Sequence, residues 1–91
     1  MAYDYQTERP NLFTENGQLM FLGIRDRAKQ LIAEAGEARL SNIISKASGS
    51  SWTMLACVDR LVEIGELVEV TRSDSVVGQD RVFVSATDKF Y

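Results

Sequence analysis

Residues 38–70, whose pattern decides the fold, read ARLSNIISKASGSSWTMLACVDRLVEIGELVEV. A Ser/Gly cluster at residues 48–50 predicts a turn, because glycine tolerates the positive φ angles that tight turns need. We expect a short helix at about residues 42–47 before this turn and a longer one at about residues 51–64 after it, ended by Gly65. The caps expected from serine are Ser41 for the first helix and Ser50 or Ser51 for the second.

Alternating apolar and polar residues on both sides of this unit predict short strands. Residues 39–40 are long enough for a small first strand, and residues 67–72 and 81–86 alternate as the two arms of a hairpin do. The intervening SDSVVGQD, residues 73–80, supplies the turn of that hairpin. The predicted fold class is therefore mainly α with a small β-hairpin, an α+β domain.

A further helix is expected before this unit, at about residues 15–35. Thr14 or Asn16 is suited to cap it, and Gly36 to take the left-handed position after its end. Residues 1–13 are expected to form an irregular arm, because a proline disfavours helix at the residue before it. Apolar residues at steps of three and four place one face of the helix on the core: Met20, Ile24, Ala28, Leu31 and Ala35.

The opposite face of this helix carries Leu19 and Leu22 beside Gly23. Three explanations stand for these leucines. The N-terminal arm covers them with Leu12 and Phe13, or they form a homodimer contact in which Gly23 permits close approach, or each is singly exposed, as surface leucines often are.

The longer helix of residues 51–64 and the strand after it resemble the winged-helix family of bacterial regulators. The resemblance implies a three-helix winged helix-turn-helix domain with a two- to three-stranded wing sheet. That domain would span residues 14–87, followed by a C-terminal tail at residues 88–91. The match rests on apolar residues at family spacing before a glycine and on the entry into the next strand: Thr53, Met54, Val58, Leu61, Gly65 and residues 67–70.

Composition indicates a soluble globular domain, since 45% of the 91 residues are hydrophobic and 25% are charged. No apolar run approaches the roughly 20 residues that cross a bilayer. The N-terminus lacks the basic and apolar regions of a secretion signal. We therefore expect a cytoplasmic protein with no membrane partner.

The residue types present argue against catalysis. There is no histidine for general-base work near neutral pH, and no glycine-rich phosphate-binding motif. The single cysteine, Cys57, lies among apolar residues, which is typical of a buried structural thiol. We expect no enzyme, no catalytic residue, no metal site and no cofactor.

The distribution of charge bears on nucleic-acid binding. The net charge is −3, which is unfavourable, but residues 38–58 contain no acidic residue. Arg39 and Lys46 are basic there, and many serines supply hydroxyls, so this stretch suits phosphate contact. The same serines also serve as caps and turn residues. Arg72 and Arg81, at the base of the hairpin, either touch DNA backbone or pair with acidic neighbours.

Trp52 is expected on the outward face of the helix of residues 51–64, together with Ala56, Asp59 and Glu63. Three explanations stand for its indole. It covers the rim of the core, or it contacts DNA or another partner, or it is buried in a homodimer. Tryptophan is frequent in binding hot spots but seldom reads bases directly.

Two hypotheses follow for function. The first is a small DNA-binding transcriptional regulator that acts as a homodimer through Leu19, Leu22 and Gly23, with the third helix, about residues 51–64, in the major groove of double-stranded DNA. The second is a winged-helix protein–protein interaction module that does not bind DNA. The residues predicted to contact DNA are Arg39, Lys46, Ser48, Ser50, Ser51, Trp52, Thr53, Ala56, Arg60, Arg72 and Arg81.

Overall fold

Helices make up most of the fold and a small sheet completes it. The computed structural model of the protein describes residues 3–45, 47, 49–70 and 81–86. The elements in chain order are α1 (Tyr5–Glu8), a 3-10 helix (Arg9–Phe13), α2 (Glu15–Ala35), β1 (Ala38–Arg39), α3 (Leu40–Ile44), α4 (Ser51–Glu63), β2 (Leu67–Glu69) and β3 (Val82–Ser85). This confirms a mainly helical α+β class.

Helix α2 begins and ends where its sequence predicts. The Thr14 hydroxyl accepts a hydrogen bond from the Gly17 N–H at 3.0 Å, which caps the helix. Gly36 follows the last turn with φ at 82°, the left-handed conformation that glycine adopts without strain. Ile24 and Ala28 are buried as expected. Ala35 was expected in the core but is exposed at the last residue of the helix, directly before Gly36.

The three strands form one antiparallel sheet in the order β1-β3-β2. Ala38 pairs with Phe83 on one side of β3, and Glu69 pairs with the same residue on the other side. The central β3 therefore joins the strand before α3 to the strand after α4. The predicted hairpin turn at residues 73–80, the end of the predicted strand at residues 71–72 and the tail at residues 88–91 lie outside the described residues.

Helix α3 starts two residues earlier than its sequence predicts, directly after β1. The Leu40 N–H donates to the Arg81 carbonyl oxygen at 2.8 Å, so the strand pairing continues into the first helical residue. Ser41 therefore lies within the helix, and its assignment as the N-cap was wrong. The turn after α3 contains Gly49 with φ at 116°, which confirms the glycine predicted there.

Helix α4 places Met54, Val58 and Leu61 in the core, as the apolar spacing predicts. Gly65 follows its end with φ at 82°, as expected for a residue that stops a helix. Ser50 holds the N-cap position, but its side chain makes no capping hydrogen bond. Within the described part of the chain, the N-terminus of α4 therefore has no side-chain cap.

The N-terminal segment, residues 3–13, is helical rather than irregular, so the expectation from Pro10 was wrong. The Asp4 carboxylate accepts from the Gln6 N–H and starts α1. Pro10 lies in the first turn of the 3-10 helix, where its missing N–H costs no helical hydrogen bond. Leu12 is only 1% exposed, and it anchors the segment in the core.

The N-terminal segment packs on α4 and on the start of α2, away from the two surface leucines of α2. Leu19 is 65% exposed and Leu22 is 43% exposed, so the proposed cover by the arm was wrong. The segment approaches α2 closely at Gly17, where a side chain would overlap the Asn11 carbonyl oxygen.

The core draws on every element except α1. Its most enclosed large residue is Phe83 of β3, which has no exposed surface. The buried apolar residues are Leu12, Ile24, Ala28, Ala38, Leu40, Ile43, Met54, Ala56, Cys57, Val58, Leu61, Leu67 and Phe83. Within the described part of the chain, no helix has the length and apolar character needed to span a membrane.

Candidate nucleic-acid interface

The N-terminal turn of α4 is the open end of the predicted recognition helix. Ser50 and Ser51 are exposed there, and Trp52 and Thr53 are half-buried. Because the Ser50 side chain makes no capping hydrogen bond, it leaves the backbone N–H groups of this turn to other acceptors. The turn thus presents N–H donors and two serine hydroxyls at the positive end of the helix dipole.

The outer face of α4 is partly occupied by contacts with the N-terminal segment, contrary to its predicted role. Ala56 has no exposed surface, so its assignment to DNA contact was wrong. Asp59 and Glu63 share this face at helical spacing, and the tyrosines of the N-terminal segment bind both. The Tyr3 hydroxyl donates to Asp59 Oδ2 at 2.6 Å, and the Tyr5 hydroxyl donates to Glu63 Oε1 at 2.8 Å.

A single carboxylate oxygen of Glu63 accepts hydrogen bonds from three side chains. Besides Tyr5, Arg60 Nη1 donates to Oε1 at 2.6 Å and Arg9 Nε donates to it at 3.2 Å. The hydrogen bond from Arg60, followed by that from Tyr5, lowers the pKa of Glu63 to about 2. Glu63 therefore links the N-terminal segment to α4 by charge as well as by hydrogen bonds.

We expect Glu63→Gln to lower the free energy of unfolding at pH 7 and to have a much smaller effect near pH 2. The folded-state pKa of about 2 lies below the usual 4.5, so the stabilisation is full above 4.5 and is lost as pH falls toward 2. Urea unfolding of both proteins at the two pH values measures this. Glu37→Gln is the control, because Glu37 is exposed and has no ion pair among the described residues. An equal loss at both pH values would contradict an electrostatic role for Glu63.

Arg81, directly before β3, binds one carboxylate on α4 and one on β2. Its Nη2 donates to Asp59 Oδ1 at 2.8 Å and to Glu69 Oε1 at 2.9 Å. Burial lowers the pKa of Arg81, but hydrogen bonds with Glu69 and Asp59 outweigh this and raise it overall. The Arg81 guanidinium is thus bound by carboxylates of the same domain, and its side chain is 21% exposed.

The predicted cations differ in their availability to phosphate. Arg39 is exposed on the edge strand β1 and makes no ion pair within the described part of the chain. Arg60 is held by Glu63 and also lies over the Phe13 ring, 5.5 Å from its centroid. The predicted contacts Lys46, Ser48 and Arg72 lie outside the described residues.

The predicted dimer residues Leu19, Leu22 and Gly23 are exposed together on α2. A Cβ added at Gly23 would meet no atom within 4 Å, so the surface is open at this position. Homodimer formation through these residues stays a prediction.

Burial distinguishes Cys57 from a reactive thiol. Its side chain lies in the core, and burial raises the pKa of the thiol to about 11. Such a thiol is protonated at neutral pH and is a poor nucleophile. Among residues 3–45, 47, 49–70 and 81–86, no group of three or more metal-ligating side chains comes together.

The sequence did not predict that the N-terminal segment contributes side chains to this surface. Tyr3 and Tyr5 bind carboxylates 56 and 58 residues away, and no local sequence pattern predicts such long-range hydrogen bonds. The available signal was the pair Asp59 and Glu63, two carboxylates four residues apart on a helix expected to face DNA. Two such groups are repelled by phosphate and need cations or hydroxyl donors of their own.

Comparison with models of known protein families, with curated proteins and with solved structures found no match to this chain.

Proposed function

We propose that this protein is a small winged helix-turn-helix protein that binds double-stranded DNA and regulates transcription. Support for the fold assignment comes from the succession α2, β1, α3, α4 and then β2 and β3, with β3 central in the sheet. In this proposal α3 and α4 are the helix-turn-helix, and the hairpin of β2 and β3 is the wing. No catalytic activity, metal or cofactor is part of the proposal.

The observation that carries the proposal is the uncapped N-terminal turn of α4. Anions bind readily at helix N-termini, because unpaired N–H groups and the helix dipole both favour negative charge. Here Ser50 and Ser51 are exposed beside those N–H groups, within a stretch from residue 38 to 58 that contains no acidic residue. A DNA phosphate fits this combination of donors.

The proposed contact surface is narrower than the one expected from sequence. It consists of residues 50–53 and Arg39, with Lys46, Ser48 and Arg72 as further candidates from the sequence. Arg60 and Arg81 serve mainly to hold the fold, because carboxylates already bind them. Few of these side chains form the paired hydrogen bonds that read base edges, so we expect modest sequence specificity.

We expect Arg39→Ala to weaken binding to a mixed-sequence duplex and to reduce its salt dependence. Each lost phosphate contact lowers the slope of log affinity against log salt by about 0.9. Anisotropy of a labelled duplex, measured from low to physiological salt, gives both quantities. The fold should be unaffected, because the Arg39 side chain is exposed.

Lys29→Ala is the charge-matched control for this experiment. Lys29 lies on α2, where its ammonium group faces Glu66 at 3.8 Å. If removing Lys29 reduced the slope as much as removing Arg39, the effect would follow net charge and the proposed surface would be wrong. Absence of duplex binding by the parent protein at low salt would overturn the function itself.

A second candidate function, a winged-helix protein–protein interaction module, is favoured by the leucines of α2. Leu19 and Leu22 expose 65% and 43% of their surface on one side of the helix, next to the open position Gly23. Exposed apolar groups that cluster in this way are typical of contact surfaces. The same face would serve the homodimer that tight, specific DNA binding by so small a domain calls for.

A further inference from the structure

A groove of about 600 Å³ lies between α2 and α3. Its apolar lining includes Leu19, Met20 and Ile24 of α2 and Ile43 of α3. This volume falls within the range of sites that hold small organic ligands, which are mostly apolar with a few placed polar groups. The groove is therefore large enough for a ligand and has the expected character.

Arg27 supplies a positive charge to the groove. Among the described residues that line the groove, none is an aspartate or a glutamate. The Nε atom of Arg27 is buried and finds no hydrogen-bond acceptor among the described residues. A buried N–H without an acceptor costs free energy, and a carboxylate is the acceptor that matches a guanidinium best.

The groove reaches the turn that leads into α4. Gly49 lines it and directly precedes Ser50, the N-cap residue of α4. Gly49 also approaches Met20, because a Cβ added there would lie 2.7 Å from Met20 Cε. A molecule that displaced the Met20 side chain would therefore act on the residues next to the proposed DNA-contacting turn.

We propose that this groove binds a small amphiphilic carboxylate, with its apolar chain against Leu19, Met20 and Ile43 and its carboxylate paired with Arg27. Bound there, the ligand alters the position of the turn at Gly49 and so modulates duplex binding by α4. The proposed ligand binding depends only on the groove, whereas the proposed modulation of duplex binding rests on the proposed DNA-binding function.

Calorimetric titration with octanoate tests the binding. The parent protein should bind octanoate saturably at one site per chain, and octylammonium, with the opposite charge, should bind at least about tenfold more weakly. Arg27→Gln should weaken octanoate binding by about tenfold or more for the same reason. No saturable binding, or equal binding of the two amphiphiles, would overturn the proposal.

Gly23→Leu is the variant that fills the groove and keeps the fold. Gly23 lines the groove, a Cβ there meets no atom within 4 Å, and leucine is a better helix former than glycine. This variant should retain the circular dichroism spectrum and lose octanoate binding. Unchanged octanoate binding by a folded Gly23→Leu protein would place the ligand elsewhere and contradict the assignment.

Light scattering and duplex titration separate the remaining outcomes. A dimer mass that Gly23→Leu reduces to the monomer, without octanoate binding in the parent, would assign the groove to a second copy and overturn the ligand proposal. Octanoate should change the duplex affinity of the parent and leave that of Gly23→Leu unchanged. If the protein binds octanoate but not the duplex, the DNA-binding function fails and the ligand site stands. If the protein binds the duplex but not octanoate, the ligand site fails and the DNA-binding function stands.

Discussion

Replacing Leu12 with alanine should lower the free energy of unfolding by about 2–5 kcal/mol, the usual cost of truncating a buried leucine. Leu12 is 1% exposed and belongs to the same core as Ile24 and Phe83. The loss should be visible in urea unfolding followed by circular dichroism. It would establish that the N-terminal segment is part of the domain core and not a loosely attached arm.

The adjacent Phe13 is the matched control for Leu12. Its ring is 53% exposed and contacts the guanidinium groups of Arg9 and Arg60, with centroid distances of 5.2 and 5.5 Å. Contacts of this kind at the surface contribute about 0.5–1 kcal/mol each, so Phe13→Ala should cost less than Leu12→Ala. Equal losses for the two variants would contradict the placement of Leu12 in the core.

Replacing Gly17 with alanine should lower the free energy of unfolding by about 1–3 kcal/mol or more, because the new methyl group has no room. It would overlap the Asn11 carbonyl oxygen and lie 2.9 Å from the Leu12 Cα, both backbone atoms that move only with the segment. Relief of the overlap would push residues 11 and 12 away from α2. Thermal and urea unfolding measure the cost.

Glycine to alanine at residue 23, six residues further along α2, should have the opposite effect on the free energy of unfolding. Gly23 is exposed, and an added Cβ meets no atom within 4 Å. Alanine there should raise the free energy of unfolding by about 0.5–1 kcal/mol, because glycine is the poorer helix former. A destabilising Gly23→Ala together with a neutral Gly17→Ala would show that the N-terminal segment does not pack at Gly17.

Local sequence patterns sufficed for the helices whose ends are set by nearby residues. The caps of α2 lie within three residues of its ends, at Thr14 and Gly36, and both were identified. Gly65 likewise marks the end of α4. The start of α3 was misplaced, because its first N–H bonds to the carbonyl of Arg81, a residue 41 positions away that no local rule considers.

The candidate site was harder to predict, because tertiary contacts decide which of its side chains are available to a ligand. The face of α4 opposite the apolar stripe was expected to face outward, with Ala56 in contact with DNA. The N-terminal segment contacts that face, for example through the hydrogen bond from Tyr3 to Asp59, which is 56 residues away. The charge of Arg81 was likewise counted as available, whereas Asp59 and Glu69 both bind it in the fold.

The acidic composition need not oppose duplex binding in this arrangement. Asp59 and Glu63, the two carboxylates of the outer face of α4, are neutralised locally by Arg81, Arg9 and Arg60. The N-terminal segment therefore contributes donors to the part of α4 where bare carboxylates would repel phosphate. The exposed N-terminal turn, in contrast, carries hydroxyls and no acidic side chain.

Amide chemical-shift mapping of the isotope-labelled protein against a mixed-sequence duplex at low salt tests the central claim most directly. We predict shifts concentrated at the amides of residues 50–53 and at the indole N–H of Trp52, the only tryptophan in the chain. The amides of Ala56, which has no exposed surface, and of Glu63, whose carboxylate binds Tyr5, should shift little. Perturbations centred on Leu19 and Leu22, or none at any residue, would contradict duplex binding by the N-terminal turn of α4.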